Sequence, residues 1–307
     1  MSARSFTAPT SLDEALTALA GGARPVAGGT DLVVGARQGK ARLPDALLAI
    51  HRIDGLGGIT EDGAGLTLGT LATHEEIVAH PTIRDRFTAL ADASAIVGSH
   101  ATRAQGTIGG NLMNASPAMD AGGPLLCFDA SVSLRSTKGE RVVPLAELWT
   151  GPGQTVAAPD ELLVSVSVPE PAAGTGSCYV RLEYRRQMEI AVVGATAVVT
   201  LEDARVADAR VAITALSPTI RCVPEAEELL VGTDGDAAVV ASAARATAAG
   251  SSPISDVRGS AEYRLAMAEV IARRAITGAL ARARGEQVPI PASPAMHAAR
   301  TTGEPGA

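Results

Sequence analysis

The sequence predicts a mixed helix-and-strand protein of two or three compact units, on three observations. Helix, strand, glycine-turn and strand signals crowd into the first 50 residues. From residue 58 onward, strand runs with a hairpin signal alternate with helical stretches. A Pro- and Gly-rich stretch at 169–176 then separates these from three strand-like runs followed by helices. A chain of 307 residues accommodates this many units at roughly 100–150 residues each.

The elements follow in order. Pro9-Thr10-Ser11 precedes Leu12-Asp13-Glu14-Ala15-Leu16, a helix start with a capping hydroxyl and early acids, and Gly21-Gly22 ends that helix. Residues 24–27 read as a short strand running into a glycine turn, with Asp31 as the cap of a helix over 32–38. The apolar run 46–50 reads as a second, buried strand, which completes a small α/β unit. Residues 58–61 and 66–69 flank Asp62-Gly63 as a hairpin. Thr73 with Glu76 forms a capping box that opens a helical stretch to about Val97, broken at Pro81. Residues 120–128 read as a helix, and 131–136, 141–144 and 162–169 as strands of a mostly antiparallel sheet. After the linker come strands at 179–184, 191–201 and 205–215, then helices around 224–230, 237–248 and 262–284. Residues 289–307 hold four Pro and no apolar period, the pattern of a mobile tail.

Composition narrows the function. With 46% hydrophobic and 19% charged residues the chain is globular, and only three Phe, three Tyr and one Trp leave an aliphatic core. Twenty-six basic against 33 acidic residues give a net charge of −7, which argues against nucleic acid as the main partner. Cys127, Cys178 and Cys222 are widely spaced and form no CxxC or Cys/His pair, so each reads as a buried thiol rather than a zinc or iron–sulfur ligand. No signal-peptide pattern or apolar run near ~18 residues is present, so the expected setting is cytoplasmic.

Two glycine turns stand out, Ala27-Gly28-Gly29-Thr30-Asp31-Leu32 and Thr107-Ile108-Gly109-Gly110-Asn111-Leu112. Adjacent glycines allow backbone in which successive N–H groups point into one concavity, suited to an anion such as the pyrophosphate of a dinucleotide. Neither turn contains Lys or Arg, so phosphate there would rest on main-chain donors and helix N-termini. Neither matches G-x-G-x-x-G, and no P-loop is present.

The longer context carries a resemblance. Pro25-Val26 with the first turn, 101–112 with the second, Ala115-Ser116-Pro117-Ala118-Met119-Asp120 and the stretch 180–191 together resemble the FAD-binding subunit of molybdenum hydroxylases. The likeness covers about Phe6 to Arg284. It implies an α+β fold: two subdomains of the vanillyl-alcohol oxidase type clasping FAD, then a domain with a three-stranded antiparallel sheet and a helical bundle. On that basis the chain divides into 1–55 and 56–172 as FAD-binding subdomains, 173–286 as the C-terminal flavoprotein domain, and 287–307 as the tail.

The resemblance also implies site residues. Ala27, Gly28, Gly29, Thr30, Asp31 and Leu32 match one segment wrapping the FAD pyrophosphate, and Thr107, Ile108, Gly109, Gly110 and Asn111 the other. Asn114, Ser116 and Asp120 match polar positions on the phosphate, ribose or adenine side. A carboxylate at Asp120 suits ribose hydroxyls; a helix cap is the plainer role. Leu163 matches an apolar adenine-side contact and Ile190 a residue near the isoalloxazine. Arg181 stands where some relatives place a lysine near the flavin, and the plain alternative is a surface arginine in a strand. Met188 replaces an acid of some relatives, which leaves the electron acceptor open among NAD, a quinone, oxygen or another carrier. Arg185-Arg186 fits either a phosphate or partner contact, or a salt-bridged strand end.

His51, His74, His80 and His100 lack the spacing of metal ligands, and no nucleophile elbow or Cys–His pattern occurs. His100, just before the second turn, reads as a capping or surface residue. The implied function is electron transfer, from two 2Fe-2S clusters on a small subunit through FAD to an external acceptor. Oxidation takes place on a large molybdopterin-binding subunit, in a dimer of heterotrimers. Flavin supplies such chemistry, so no protein acid, base or nucleophile is required. A self-sufficient flavin reductase or oxidase of similar fold, and a non-catalytic scaffold with a decayed nucleotide cleft, are the competing readings.

Overall fold

The computed structural model describes residues 5–39, 42–185 and 187–298. The first unit contains β1 (Ser5–Thr7), α1 (Leu12–Ala20), β2 (Arg24–Val26), α2 (Leu32–Arg37) and β3 (Ala46–Ala49). Its three strands form a parallel sheet in the order β1-β3-β2. The Ser11 hydroxyl caps α1 by accepting from the Glu14 amide. One face of α1 then buries Ala15, Leu16 and Leu19 against Leu48, Ile50 and Leu162. Helix α2 is different: it buries no residue, and Asp31 precedes it without a side-chain capping bond. The expected Asp31 cap is therefore corrected. Its backbone already lies in the helical region (φ −93°, ψ −47°), not in the extended region from which a cap side chain folds back.

The second unit opens with the hairpin β4 (Ile59–Asp62) and β5 (Gly65–Gly69). Six helices follow: α3 (His74–Ala79), α4 (Pro81–Arg86), α5 (Thr88–Ala95), α6 (His100–Arg103), α7 (Ile108–Asn114) and α8 (Gly122–Cys127). It closes with β6 (Ser131–Ser136), β7 (Gly139–Pro144), α9 (Leu145–Leu148), β8 (Trp149–Gly151), β9 (Gln154–Thr155) and β10 (Leu162–Pro169). The main sheet is antiparallel, ordered β4-β5-β10-β6-β7, so the last strand in sequence pairs at its centre. Thr73 and Glu76 form the expected capping box: the Thr73 hydroxyl accepts from the Glu76 amide, and the Glu76 carboxylate accepts from the Thr73 amide at 2.7 Å.

The third unit has β11 (Thr175–Leu182), β12 (Val193–Glu202), β13 (Arg205–Thr214) and the short β14 (Arg221–Cys222) in one antiparallel sheet, taken in that order. The fourth strand adds to the expected three, its two residues being too few to show a period. Helices α10 (Pro224–Leu230), α11 (Ala237–Ala249) and α12 (Ala261–Ala283) cover the sheet. Ala268, Ala272, Ala275 and Ala279 line the buried side of α12. Cys127 and Cys178 are buried, while Cys222 is half-buried.

The mobile tail is corrected as well. Residues 292–298 form α13 (Ala292–Ala298), in which Ala292 and Ser293 are buried. Hydrogen bonds to main-chain groups of β11 hold this helix in addition to its small apolar contact, so no apolar period announces it. Residues 299–307 of the expected tail lie outside the described residues.

Candidate functional site

The two glycine turns meet. The first leaves the end of β2, and Gly28 lies so close to the second loop that a Cβ on it would fall 1.7 Å from the Gln105 carbonyl oxygen. A Cβ on Gly106 would lie 3.6 Å from the Thr30 hydroxyl. The shared crevice therefore depends on glycine where the backbones touch, and Gly29 supplies a left-handed φ of +69°. Among the described residues, the amides of Gly28, Gly29, Thr30 and Asp31 find no acceptor.

The second turn is fastened differently. Thr107 caps α7, its hydroxyl accepting from the Gly110 amide at 3.1 Å. The Ile108 amide donates to the Ala72 carbonyl at 2.9 Å, and the Gly109 amide to the Thr70 carbonyl at 3.0 Å. The Asn111 amide donates to the Thr107 carbonyl at 2.9 Å. Main-chain donors without an acceptor thus lie on the first turn, while in the second the Ile108 and Gly109 amides hold the loop onto Ala72 and Thr70, and those of Gly110 and Asn111 bond to Thr107. What the second turn leaves open is a side chain: Asn111 Oδ1 is buried and has no hydrogen-bond partner. A buried carbonyl of this kind requires a donor.

Beyond the second turn, Asn114 is exposed at the end of α7, and the Ser116 hydroxyl accepts from the Ala118 amide at 3.3 Å. Asp120 is buried. Its Oδ1 accepts from the Tyr179 hydroxyl at 2.7 Å and its Oδ2 from Arg181 Nη1 at 2.8 Å. Burial pushes the Asp120 carboxyl above its ordinary range, and the Arg181 guanidinium pulls it back. Asp120 does not cap α8, whose N-cap position is Ala121.

Arg181 is 0% exposed, so the surface-arginine reading is corrected. Besides Asp120, its Nε donates to Glu183 at 2.6 Å and its Nη2 to the Ile96 carbonyl at 2.9 Å. Its side chain joins the second unit to the third. Leu163 is buried in the core of the second unit. Ile190 is half exposed, in a loop with the exposed Tyr184 and Met188. That loop leans on the approach to the second turn, because the Met188 amide donates to the Gly98 carbonyl at 2.9 Å. Arg185 bonds within the loop, to the Met188 carbonyl at 2.7 Å; Arg186 lies outside the described residues.

Three residues of the crevice escaped the sequence reading. Gln105 contributes main chain that Gly28 presses against, a role without a side-chain signature, and Thr70 packs its hydroxyl and carbonyl against Gly109. His74 is buried beside Gly106, with Nδ1 3.3 Å from the Ser94 hydroxyl. Burial, aided by Arg103, lowers its pKa to about 4. His100 is exposed and sits 3.9 Å from Glu75. Among the described residues, no group of three or more His, Cys, Asp or Glu could hold a metal ion.

A family model for the FAD binding domain in molybdopterin dehydrogenase matches residues 2–171, and one for the CO dehydrogenase flavoprotein C-terminal domain matches 179–279. The carbon monoxide dehydrogenase medium chain of Afipia carboxidovorans is 32% identical, over 88% of this chain and 93% of that protein. The 6-hydroxypseudooxynicotine dehydrogenase complex subunit alpha of Paenarthrobacter nicotinovorans is 34% identical, over 89% of this chain and 93% of that one. In a solved carbon monoxide dehydrogenase from Hydrogenophaga pseudoflava, a chain 30% identical superposes with a TM-score of 0.88, covering 92% of this chain and 98% of its own length. The chain belongs to the family of FAD-binding subunits of molybdenum hydroxylases. Its cofactor is FAD, and the residues present fit that group: first-turn amides lack acceptors, which a diphosphate would supply, and the buried Asn111 Oδ1 lacks a donor, which a coenzyme hydroxyl would supply. Among the described residues no helix is long and apolar enough to cross a membrane.

Proposed function

We propose that this chain is the electron-transfer subunit of a molybdenum-containing hydroxylase. It works beside a small subunit with 2Fe-2S clusters and a large molybdopterin-binding subunit, in a dimer of heterotrimers. When bound, FAD supplies redox chemistry able to collect electrons from a cluster and pass them to an external acceptor.

The chain's own part is to bind and orient. Amides of the first turn, Ala27 to Leu32, serve the diphosphate, and Asn111, Asn114 and Ser116 serve polar groups beyond it. Thr107, Ile108, Gly109 and Gly110 shape the facing wall. Asp120 accepts from a ribose hydroxyl, and Arg181 holds Asp120 in place instead of touching the flavin. Leu163 lies on the adenine side, and Ile190 stands near the isoalloxazine.

The observation that carries this reading is the contact of Gly28 with Gln105, which brings two distant turns to one crevice lined with open amides. The test is purification of the chain from its native host. Stoichiometric FAD with co-purifying molybdopterin and 2Fe-2S chains is expected. A colourless chain without partners would remove the proposal.

A further inference from the structure

We propose that Cys127 and Cys222 form an oxidation site: a hydroperoxide converts the two thiols into a disulfide that joins the second unit to the third. Cys222 is the attacking sulfur, Glu227 its base, and Cys127 the resolving thiol.

The two cysteines stand 95 positions apart and meet where α8 lies on β14, the edge strand of the third unit's sheet. Cys127 is the last residue of α8 and belongs to the core of the second unit. Cys222 ends β14, opposite Ala212, a residue of that same core, and packs against it. The approach is close: a Cβ on Gly122 of α8 would fall 3.0 Å from Cδ1 of Ile220, just before β14. The two thiols are hydrogen-bond partners, and both are free.

Their surroundings differ. Cys127 is buried, and burial, with Cys222 and Glu227 adding to it, pushes its thiol well above the ordinary value, so it keeps its proton. Cys222 is only half-buried. Its thiol donates to the Glu227 carboxylate, and the Arg210 guanidinium is its neighbour. The Val211 amide fixes Glu227 by donating to Oε1 at 3.0 Å, and Oε2 lies 3.9 Å from Arg210 Nη1. Arg210, Glu227, Asp129 and Asp208 line an open surface recess of about 580 Å³, which admits a small peroxide. A thiolate, not a thiol, is the nucleophile. Cys222 has a base to take its proton and a cation beside its sulfur.

With hydrogen peroxide the chemistry runs in two steps. Glu227 takes the Cys222 proton as the sulfur attacks one peroxide oxygen. The O–O bond breaks, and the departing hydroxide recovers that proton as water, which leaves a sulfenic acid on Cys222. The Cys127 sulfur then attacks the Cys222 sulfur. The S–S bond forms, the S–O bond breaks, and the oxygen leaves as a second water carrying the Cys127 proton. The two sulfurs together lose two electrons, and the peroxide gains them. The link fixes the boundary across which Asp120 bonds Tyr179 and Arg181, and a dithiol reductant reverses it.

The experiment treats the folded full chain with hydrogen peroxide, alkylates the remaining thiols and maps peptides by mass spectrometry without reduction. A Cys127–Cys222 linked peptide is expected, with Cys178 alkylated, and dithiothreitol should abolish the link. Cys127→Ala should stop at a Cys222 sulfenic acid that dimedone traps. Glu227→Gln keeps an oxygen for the Val211 amide but is no base, so it should form the same link at least about tenfold more slowly. Wild-type Cys222 carried to the sulfinic acid beside an intact Cys127 thiol would overturn the inference. So would equal rates in Glu227→Gln and wild type, or a link that forms only in urea.

Discussion

Gly28 and Gln105 touch through their main chains, 77 positions apart in sequence, so tightly that the space for a single methyl group is already taken by the Gln105 carbonyl. This contact joins the first α/β unit to the loop before α7.

Gly28→Ala should therefore force the turns apart. We expect FAD affinity to fall at least about tenfold, about 1.4 kcal/mol, with secondary structure retained. Gly63→Ala, in the hairpin turn away from the crevice, is the control, since a Cβ there would meet nothing within 4 Å. Flavin titration of both variants decides; wild-type affinity in Gly28→Ala would refute the crevice.

Asp92 is completely buried and accepts four hydrogen bonds: from Arg282 Nη1 at 2.6 Å, Arg282 Nη2 at 3.0 Å, the Tyr179 amide at 3.1 Å and the Ala292 amide at 2.9 Å. Asp92→Ala strands the Arg282 guanidinium in the interior, and should cost roughly 3–5 kcal/mol in urea unfolding. Replacing both partners, as Asp92→Leu with Arg282→Met, should recover part of that loss, because no unpaired charge is left. A double variant as unstable as the single one would show that the amide bonds dominate.

His74 makes folding sensitive to acid. Its pKa is lowered by burial and by Arg103 to about 4 from 6.5, so the folded state disfavours the proton. Stability from this group is complete above about pH 6.5 and declines as pH falls toward 4. Between pH 7 and pH 5 it should contribute a loss of about 2 kcal/mol. Unfolding free energies of wild type and His74→Leu at the two pH values test this; equal pH slopes would exclude His74 as the source.

Local rules made much of the fold legible. The Ser11 cap, the Thr73–Glu76 box and the Asp62 hairpin each depend on residues within four positions, and the structure has all three. The glycine turns were legible for the same reason. What the sequence hides is long-range. Val180-Arg181-Leu182 reads as an ordinary strand, and the burial of Arg181 depends on Asp120, 61 positions away. Helix α13 has little apolar face to show a period, since Asp92, Ser293 and His297 contribute much of its attachment. Asp31 fits the composition of a cap, yet its backbone conformation rules that role out.

The bonding of Asp92 bears on biosynthesis. Domains generally fold as they emerge from the ribosome, the N-terminal one first. The carboxylate belongs to the second unit, but its cation, Arg282, and the Ala292 amide are made 190 and 200 residues later. A nascent chain halted after the flavin-binding units would leave this carboxylate facing water, without any of these four hydrogen bonds. The buried carboxylate of the second unit therefore gains its full set of partners only when the polypeptide reaches residue 292.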